Sequence, residues 1–218
     1  MNRITQLDPA QATGKAKQLL DAVQSKLGIV PNLTRVLANA PVALEGYLNF
    51  SGALAGGTLD VKVREQIALA VAEGNLCSYC LSAHTFIGGK AGLTDKDITN
   101  ARHTNATSGK TDAILKLALS ILVQRGEISD AALKTARDAG LTDGEIVETT
   151  ANVALNIFTN YINHVARTVV DFPEVKPGDN AASTEACDTG CGCNHLTKFR
   201  GASKHGGNRK NKKQTKQK

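Results

Sequence analysis

Residues 65–84 read EQIALAVAEGNLCSYCLSAH, and this stretch decides how the chain folds. Its first half has the apolar spacing of a helix, Gly74-Asn75 then interrupts the pattern, and Asn75 is a favourable N-cap for a second helix. In one continuous helix, Glu65 and His84 would lie about 28 Å apart along the axis. We therefore expect the break to let the two helices fold back on each other, which would bring this carboxylate close to the imidazole.

The second helix carries a Cys-x-x-Cys motif, Cys77-Ser78-Tyr79-Cys80, and His84 follows it. At about 100° per residue, Cys77 and His84 point within about 20° of each other and Cys80 lies about 60° away, so all three are predicted to share one face. Free amides at a helix start lower a thiol pKa, and an imidazole can move a proton near neutral pH. The pattern is typical of reversible dithiol chemistry, with a zinc site or simple packing of thiols as open alternatives.

Outward from this stretch, the chain is predicted to be helical throughout. Asp8-Pro9 is expected to open the first helix, and Pro31 and Pro41 bracket a short second one. Further helices are predicted at residues 42–54, 61–73, 114–123, 129–139 and 143–170. No stretch shows strict apolar alternation bounded by turn residues, so the fold class is predicted to be all-α.

One sequence pattern occurs twice. AGLTD stands at residues 91–95 and again at 139–143, which indicates either convergent helix capping or duplication of a helical unit. A second alignment at equal spacing pairs Glu65, Cys77 and Cys80 with Glu148, Asn160 and Asn163. If the unit is duplicated, the second copy lacks the thiols and is structural.

Composition divides the 218 residues into a body, 1–177, and a tail, 178–218. Residues 189–218 contain nine Lys and Arg and no acidic residue, which leaves 17 Lys and Arg against 20 Asp and Glu before them. Residues 1–188 are therefore mildly acidic and give no reason to propose a nucleic-acid enzyme. The basic tail is predicted to be a solvated, disordered segment, with binding to RNA or another polyanion as an alternative. Aromatic residues are only 4 % of the chain, which disfavours a nucleic-acid binder that stacks bases.

No run of eighteen apolar residues and no apolar signal core is present, so we predict a cytoplasmic protein that does not bind membranes. The tail holds a second group of possible soft ligands, namely Cys187, Cys191, Cys193 and His195. They could bind copper or zinc, or act as an accessory thiol relay, or be free thiols of a flexible tail. Their spacing matches no standard zinc module, so whether they bind a metal stays open.

The spacing of Glu65, Cys77-Ser78-Tyr79-Cys80 and His84 resembles the signature of the alkylhydroperoxidase D-like branch of the carboxymuconolactone decarboxylase family. The resemblance extends over most of residues 28–173. It includes Pro31-Asn32-Leu33 and a terminal segment with Asn160, Tyr161 and Asn163. It implies a helical fold of this family and a homo-oligomer, often a trimer or hexamer.

The resemblance also implies roles for the residues. Cys80 would be the peroxidatic thiol, Cys77 the resolving thiol, and Glu65 with His84 the proton relay. Tyr79 stands where the best-studied members have a histidine that joins this relay. Tyrosine can form a hydrogen bond there but cannot act as a base near neutral pH. The decarboxylase branch typically lacks the Cys pair, so decarboxylation is disfavoured.

These observations predict a thiol-dependent peroxidase that reduces small alkyl hydroperoxides while Cys77 and Cys80 oxidise to a disulfide. No bound cofactor is expected, and an external dithiol, such as a reductant protein or a lipoyl-type carrier, would reset the pair. Two alternatives belong to other classes. One is a metal-handling protein that uses the tail cysteines, and the other is a non-catalytic oligomer of the same fold.

Overall fold

A computed structural model describes residues 2–178, and within this range the chain forms nine α-helices and no strand. The predicted all-α fold is confirmed. The helices are α1 Gly14–Leu27, α2 Asn32–Leu37, α3 Pro41–Ala55, α4 Val61–Gly74, α5 Ser78–Lys90, α6 Asp95–Arg102, α7 Gly109–Gln124, α8 Asp130–Asp138 and α9 Asp143–Ala166. None of these described helices is both long enough and apolar enough to span a membrane.

Helix α4 lies at the centre of the fold. Every residue from 66 to 72 is buried, because α5, α6, α7 and α9 pack around this helix. The near-continuous apolar run of the sequence therefore fills the core, and Asp60 caps the helix by accepting a hydrogen bond from the backbone N–H of Val63 at 3.0 Å. This rigid centre positions Glu65, which lies near the start of the helix.

The break between α4 and α5 is a Schellman turn. The Cys77 N–H donates to the Ala72 carbonyl, and the Leu76 N–H donates to the Glu73 carbonyl. Leu76 adopts a left-handed conformation, φ 55°, that usually belongs to glycine. Asn75 therefore ends α4, and the prediction that it caps α5 is wrong because Cys77 takes that position.

The two AGLTD segments form the same structure. In each, a glycine with φ near +90°, Gly92 or Gly140, ends one helix, and a threonine then starts the next with a complete capping box. The helix capping that the repeated sequence indicates is thus confirmed in both segments. At this level of local structure, convergent capping and duplication give the same result.

Three predicted helix boundaries are wrong, and one of them is the start of α7, which lies at Gly109 instead of residue 114 because Ser108 caps the helix. Asp8-Pro9 forms an isolated turn, in which Asp8 accepts the N–H groups of Ala10 and Ala12, and α1 begins only at Gly14. Helix α9 ends at Ala166 instead of residue 170, because Arg167 turns left-handed at φ 49°. The chain divides into units Met1–Ala181 and Ala182–Lys218, and the described residues all lie in the first. The predicted division at residue 177 stays a prediction.

Candidate active site

The expected approach of Glu65 and His84 is confirmed. One carboxylate oxygen of Glu65 lies 2.8 Å from Nδ1 of His84, and both side chains are mostly buried. Burial lowers the pKa of His84. The charge and the hydrogen bond of Glu65, together with the charge of Cys80, raise it by more, so the pKa of His84 lies above the ordinary value for histidine. The carboxylate thus orients the ring and favours its protonated form.

Cys80 lies in the first turn of α5, where its thiol contacts polar groups of α9. The side-chain amide of Asn163 donates to Sγ at 3.2 Å, and the Thr159 hydroxyl lies 4.0 Å away. The hydrogen bond from Cys77 lowers the pKa of Cys80 most, burial opposes it, and the charge of His84 and the amide of Asn163 add to the lowering. Cys80 therefore favours the thiolate form.

Cys77 has a different environment, although it is also a buried free thiol. It precedes α5 as the N-cap, and its Sγ lies 4.0 Å from the backbone carbonyl of Asn160. Its hydrogen bond to Cys80 and its burial both raise its pKa. The prediction that Cys77, Cys80 and His84 share one face is wrong for Cys77, because this residue lies outside the helix whose geometry the prediction assumed.

Tyr79 lies apart from the Glu65–His84 pair. Its hydroxyl accepts a hydrogen bond from the backbone N–H of Leu33 at 3.0 Å, and its ring packs edge-on against Phe172. Burial raises its pKa above the ordinary value for tyrosine. The hydroxyl therefore ties α2 to α5 and remains protonated near neutral pH.

A cavity of about 540 Å³, here called the first cavity, opens over Cys80 and His84. Most of its wall is apolar, and the apolar lining includes Val23, Leu27, Leu48, Leu54, Val61, Ile87, Leu155 and Phe172. Glu65, Cys80 and His84 all line it, whereas Cys77 does not. This space is within the range that holds a drug-sized organic molecule.

Several polar residues of the site were not predicted from the sequence. Tyr47 of α3 lines the first cavity, and burial, with the charges of Cys80 and Glu65, raises its pKa to about 12. Asn163 was noted only through the repeat and the resemblance, and Thr159 carried no signal. A period of four in Asn152, Asn156 and Asn160 on a helix with an apolar face could have marked α9 as the wall of a polar site.

Among residues 2–178, no group of three or more His, Cys, Asp or Glu side chains is arranged to hold a metal ion. The three residues considered for a zinc site, Cys77, Cys80 and His84, therefore do not form such a group. The possible tail ligands Cys187, Cys191, Cys193 and His195 lie outside the described residues.

The carboxymuconolactone decarboxylase family model matches residues 41–116, which include Glu65, both cysteines of the motif and His84. No curated protein sequence matches the chain. The family match agrees with the resemblance seen in the sequence, and it covers α3 to α6 and the first half of α7, but not α9, which contributes Thr159 and Asn163.

Several solved structures share the fold. The alkylhydroperoxidase AhpD core, an uncharacterized peroxidase-related protein from Ralstonia eutropha JMP134, has a TM-score of 0.69 and 24 % identity over 78 % of this chain and 92 % of its own. A peroxidase-related protein from Silicibacter sp. TM1040 has a TM-score of 0.67 and 22 % identity over 77 % of this chain and 92 % of its own.

The debrominase Bmp8, in a complex with 2,3,4-tribromopyrrole, has a TM-score of 0.67 and 14 % identity over 78 % of this chain and 91 % of its own. At these identities the likeness concerns the fold alone. The same fold therefore occurs in peroxidase-related proteins and in a debrominase.

Proposed function

We propose that the chain is a thiol-dependent peroxidase, because the carboxymuconolactone decarboxylase family model matches residues 41–116 and the helical domain has the alkylhydroperoxidase D-like fold. The substrates would be small organic hydroperoxides that enter the first cavity. One observation carries the proposal: a thiol that favours its anionic form lies with a carboxylate-bound imidazole on the wall of one largely apolar cavity.

In the first step, the Cys80 thiolate attacks the terminal oxygen of the hydroperoxide and the O–O bond breaks. Sulfur is oxidised to a sulfenic acid, and the leaving alkoxide takes a proton and departs as an alcohol. His84 is suited to supply that proton. Glu65 holds Nδ1, which leaves Nε2 for the substrate, and the raised pKa of His84 favours the protonated ring.

In the second step, Cys77 attacks the sulfenic sulfur of Cys80 and a disulfide forms, while the hydroxyl leaves as water with the proton of Cys77. The spacing of the Cys-x-x-Cys motif supports this step, and so does the influence that each of the two thiols has on the pKa of the other. An external dithiol then reduces the disulfide. Tyr79 acts as a positioning residue, since its hydroxyl is held by Leu33.

The proposal is tested by adding substoichiometric cumene hydroperoxide to the reduced protein and mapping cysteine oxidation by mass spectrometry. A disulfide between Cys77 and Cys80, formed with one equivalent of alcohol, is expected. A reduced pair after the hydroperoxide has been consumed would contradict the proposal. The same map reports whether Cys187, Cys191 and Cys193 change their oxidation state.

A further inference from the structure

The first cavity has an exposed mouth and a buried inner end. Leu27 and Val61 line the mouth and are 56 % and 45 % exposed, whereas Cys80 and Thr159, which line the inner end, are 2 % and 4 % exposed. The remaining wall is largely apolar. A molecule that brings a hydroperoxide group to Cys80 therefore lays an apolar body against this wall, and its other end lies near the mouth.

Two cationic residues line the cavity next to the residues of the mouth. Lys26 precedes Leu27 in the last turn of α1, and Arg64 follows Val61 by three residues, so it lies on the same side of α4. Lys26 is exposed, and Arg64 is partly buried. The mouth of this largely apolar cavity is therefore positively charged.

Neither cation forms an ion pair with a carboxylate of residues 2–178. Glu65, the one acidic residue among the described residues of the lining, is bound to His84 instead. Arg64 donates one N–H to the Leu59 carbonyl, which holds the guanidinium in place and leaves most of its five N–H donors available. A guanidinium that is fixed and unpaired is suited to bind a carboxylate through two parallel hydrogen bonds.

We propose that the substrates are hydroperoxides of carboxylic acids with an apolar chain, whose carboxylate binds Arg64 and Lys26 at the mouth while the hydroperoxide group reaches Cys80. This inference rests on the proposed peroxidase function and names its substrate class. The Cys80 thiolate bonds to the terminal oxygen and becomes a sulfenic acid, the O–O bond breaks, and the alkoxide takes a proton and departs as a hydroxy acid. The carboxylate does not react, and it positions the chain.

The charges of the lining favour one orientation of such a molecule. At the inner end, a carboxylate would lose its water and would lie near Glu65 and the Cys80 thiolate, which repel it. At the mouth, the carboxylate keeps part of its hydration and meets two cations. The uncharged hydroperoxide group is therefore the end that enters.

The first test measures binding without oxidation. Decanoate and decanol have the same chain length and differ in charge, and isothermal titration calorimetry gives the affinity of each for the reduced protein. Arg64→Gln should lower the ratio of decanoate affinity to decanol affinity about tenfold, and Lys26→Gln about threefold, whereas Arg64→Lys should restore part of the loss. Lys62→Gln is the matched control, because it removes a charge from an exposed position of α4 that does not line the cavity, and it should leave the ratio unchanged.

Equal affinity of the unsubstituted protein for decanoate and decanol would overturn the proposal. Equal losses in Lys62→Gln and Arg64→Gln would also overturn it, because they would assign the effect to net charge. The position of the ligand is checked by alkylation of Cys80 with iodoacetamide, which saturating decanoate should slow at least fivefold, since the bound chain covers the sulfur. Alkylation of Cys80 at the same rate with and without decanoate would place the ligand outside the first cavity and overturn the assignment.

The second test compares ω-hydroperoxydecanoate with decyl hydroperoxide in single-turnover oxidation of Cys80, followed by mass spectrometry. At subsaturating concentrations, the unsubstituted protein should react about tenfold faster with the carboxylate, and Arg64→Gln should remove this preference. Equal rates with the two hydroperoxides would overturn the proposed substrate class. If neither hydroperoxide oxidises Cys80, the peroxidase function itself is contradicted, and the calorimetric ratio separately decides whether Arg64 and Lys26 bind a carboxylate.

Discussion

Residues 65–80 and residues 148–163 carry functional side chains at the same spacing, but they fold differently. In the first segment, α4 stops at Gly74 and the chain turns back, so that Glu65 meets His84 of α5. In the second, the whole segment lies in α9, where Glu148 and Asn163 are about 22 Å apart along one axis. Glu148 binds the loop before α4 instead.

The difference shows what the helix break contributes. The continuous helix cannot bring its own glutamate and asparagines together, and it serves as a wall for the broken one. The Asn160 carbonyl lies against Cys77, and the Asn163 amide donates to Cys80. Positions that correspond in the repeat pattern therefore meet in space, with the thiols on one segment and their polar partners on the other.

Removal of the sulfur from the broken segment has the largest expected effect. Cys80→Ser should reduce hydroperoxide consumption to the rate without protein, because a serine hydroxyl is not ionised near neutral pH and cannot be oxidised by the peroxide. Consumption is measured by loss of hydroperoxide in the presence of dithiothreitol. In the matched variant Cys77→Ser, a dimedone-reactive sulfenic acid should persist on Cys80. Hydroperoxide turnover by Cys80→Ser would contradict the assigned roles. A sulfenic acid adduct on Cys77 in Cys80→Ser, with none on Cys80 in Cys77→Ser, would reverse them.

Disruption of the Glu65–His84 pair has the next largest expected effect on activity. Glu65→Gln and His84→Gln should each slow the oxidation step about 100-fold, since general acid catalysis typically contributes 10²–10⁴-fold. Single-turnover oxidation, followed by mass spectrometry, measures this directly. Glu148→Gln is the control from the other segment and should leave the rate unchanged. Similar losses for Glu65→Gln and Glu148→Gln would remove the contrast between the two segments.

Removal of the hydrogen bond between Asn163 and Cys80, which joins the two segments, should have a smaller effect on the oxidation rate, and this effect should depend on pH. Asn163 lowers the pKa of Cys80, so Asn163→Leu should raise that pKa and move the pH midpoint of oxidation upward. Below the midpoint the rate should fall about tenfold, as expected for loss of a hydrogen bond to a charged group, and above it the rate should be restored. The pH profile of thiolate absorbance at 240 nm checks the same shift. An equal loss at every pH would indicate a packing defect alone.

The contrast also shows which features the sequence could reveal. Gly74-Asn75 was sufficient to predict the fold-back, because a carboxylate and an imidazole on one straight helix could not have met. The position of Cys77 could not be predicted, since no local signal places Leu76 in a left-handed conformation. The contacts made by Tyr47 and Asn163 depend on how α3 and α9 pack against α5, and single-sequence periodicity does not contain that information.

The smallest expected effect belongs to Glu148, and it concerns stability. Its carboxylate accepts hydrogen bonds from the Thr58 backbone and hydroxyl and from the Leu59 N–H, and a Cβ on Gly57 would lie 2.5 Å from it.

The hydrogen bond from the Thr58 backbone, followed by that from Leu59, lowers the pKa of Glu148. Because the pKa is lowered in the folded state, the carboxylate stabilises the fold at any pH above the pKa of an ordinary glutamate. This stabilisation is lost as the pH falls through the lowered pKa of Glu148. Glu148→Gln should therefore reduce the free energy of unfolding in urea by about 1 kcal/mol at pH 7 and by less in acid. A constant difference at all pH values would assign the loss to packing of the loop around residue 57 and not to the charge.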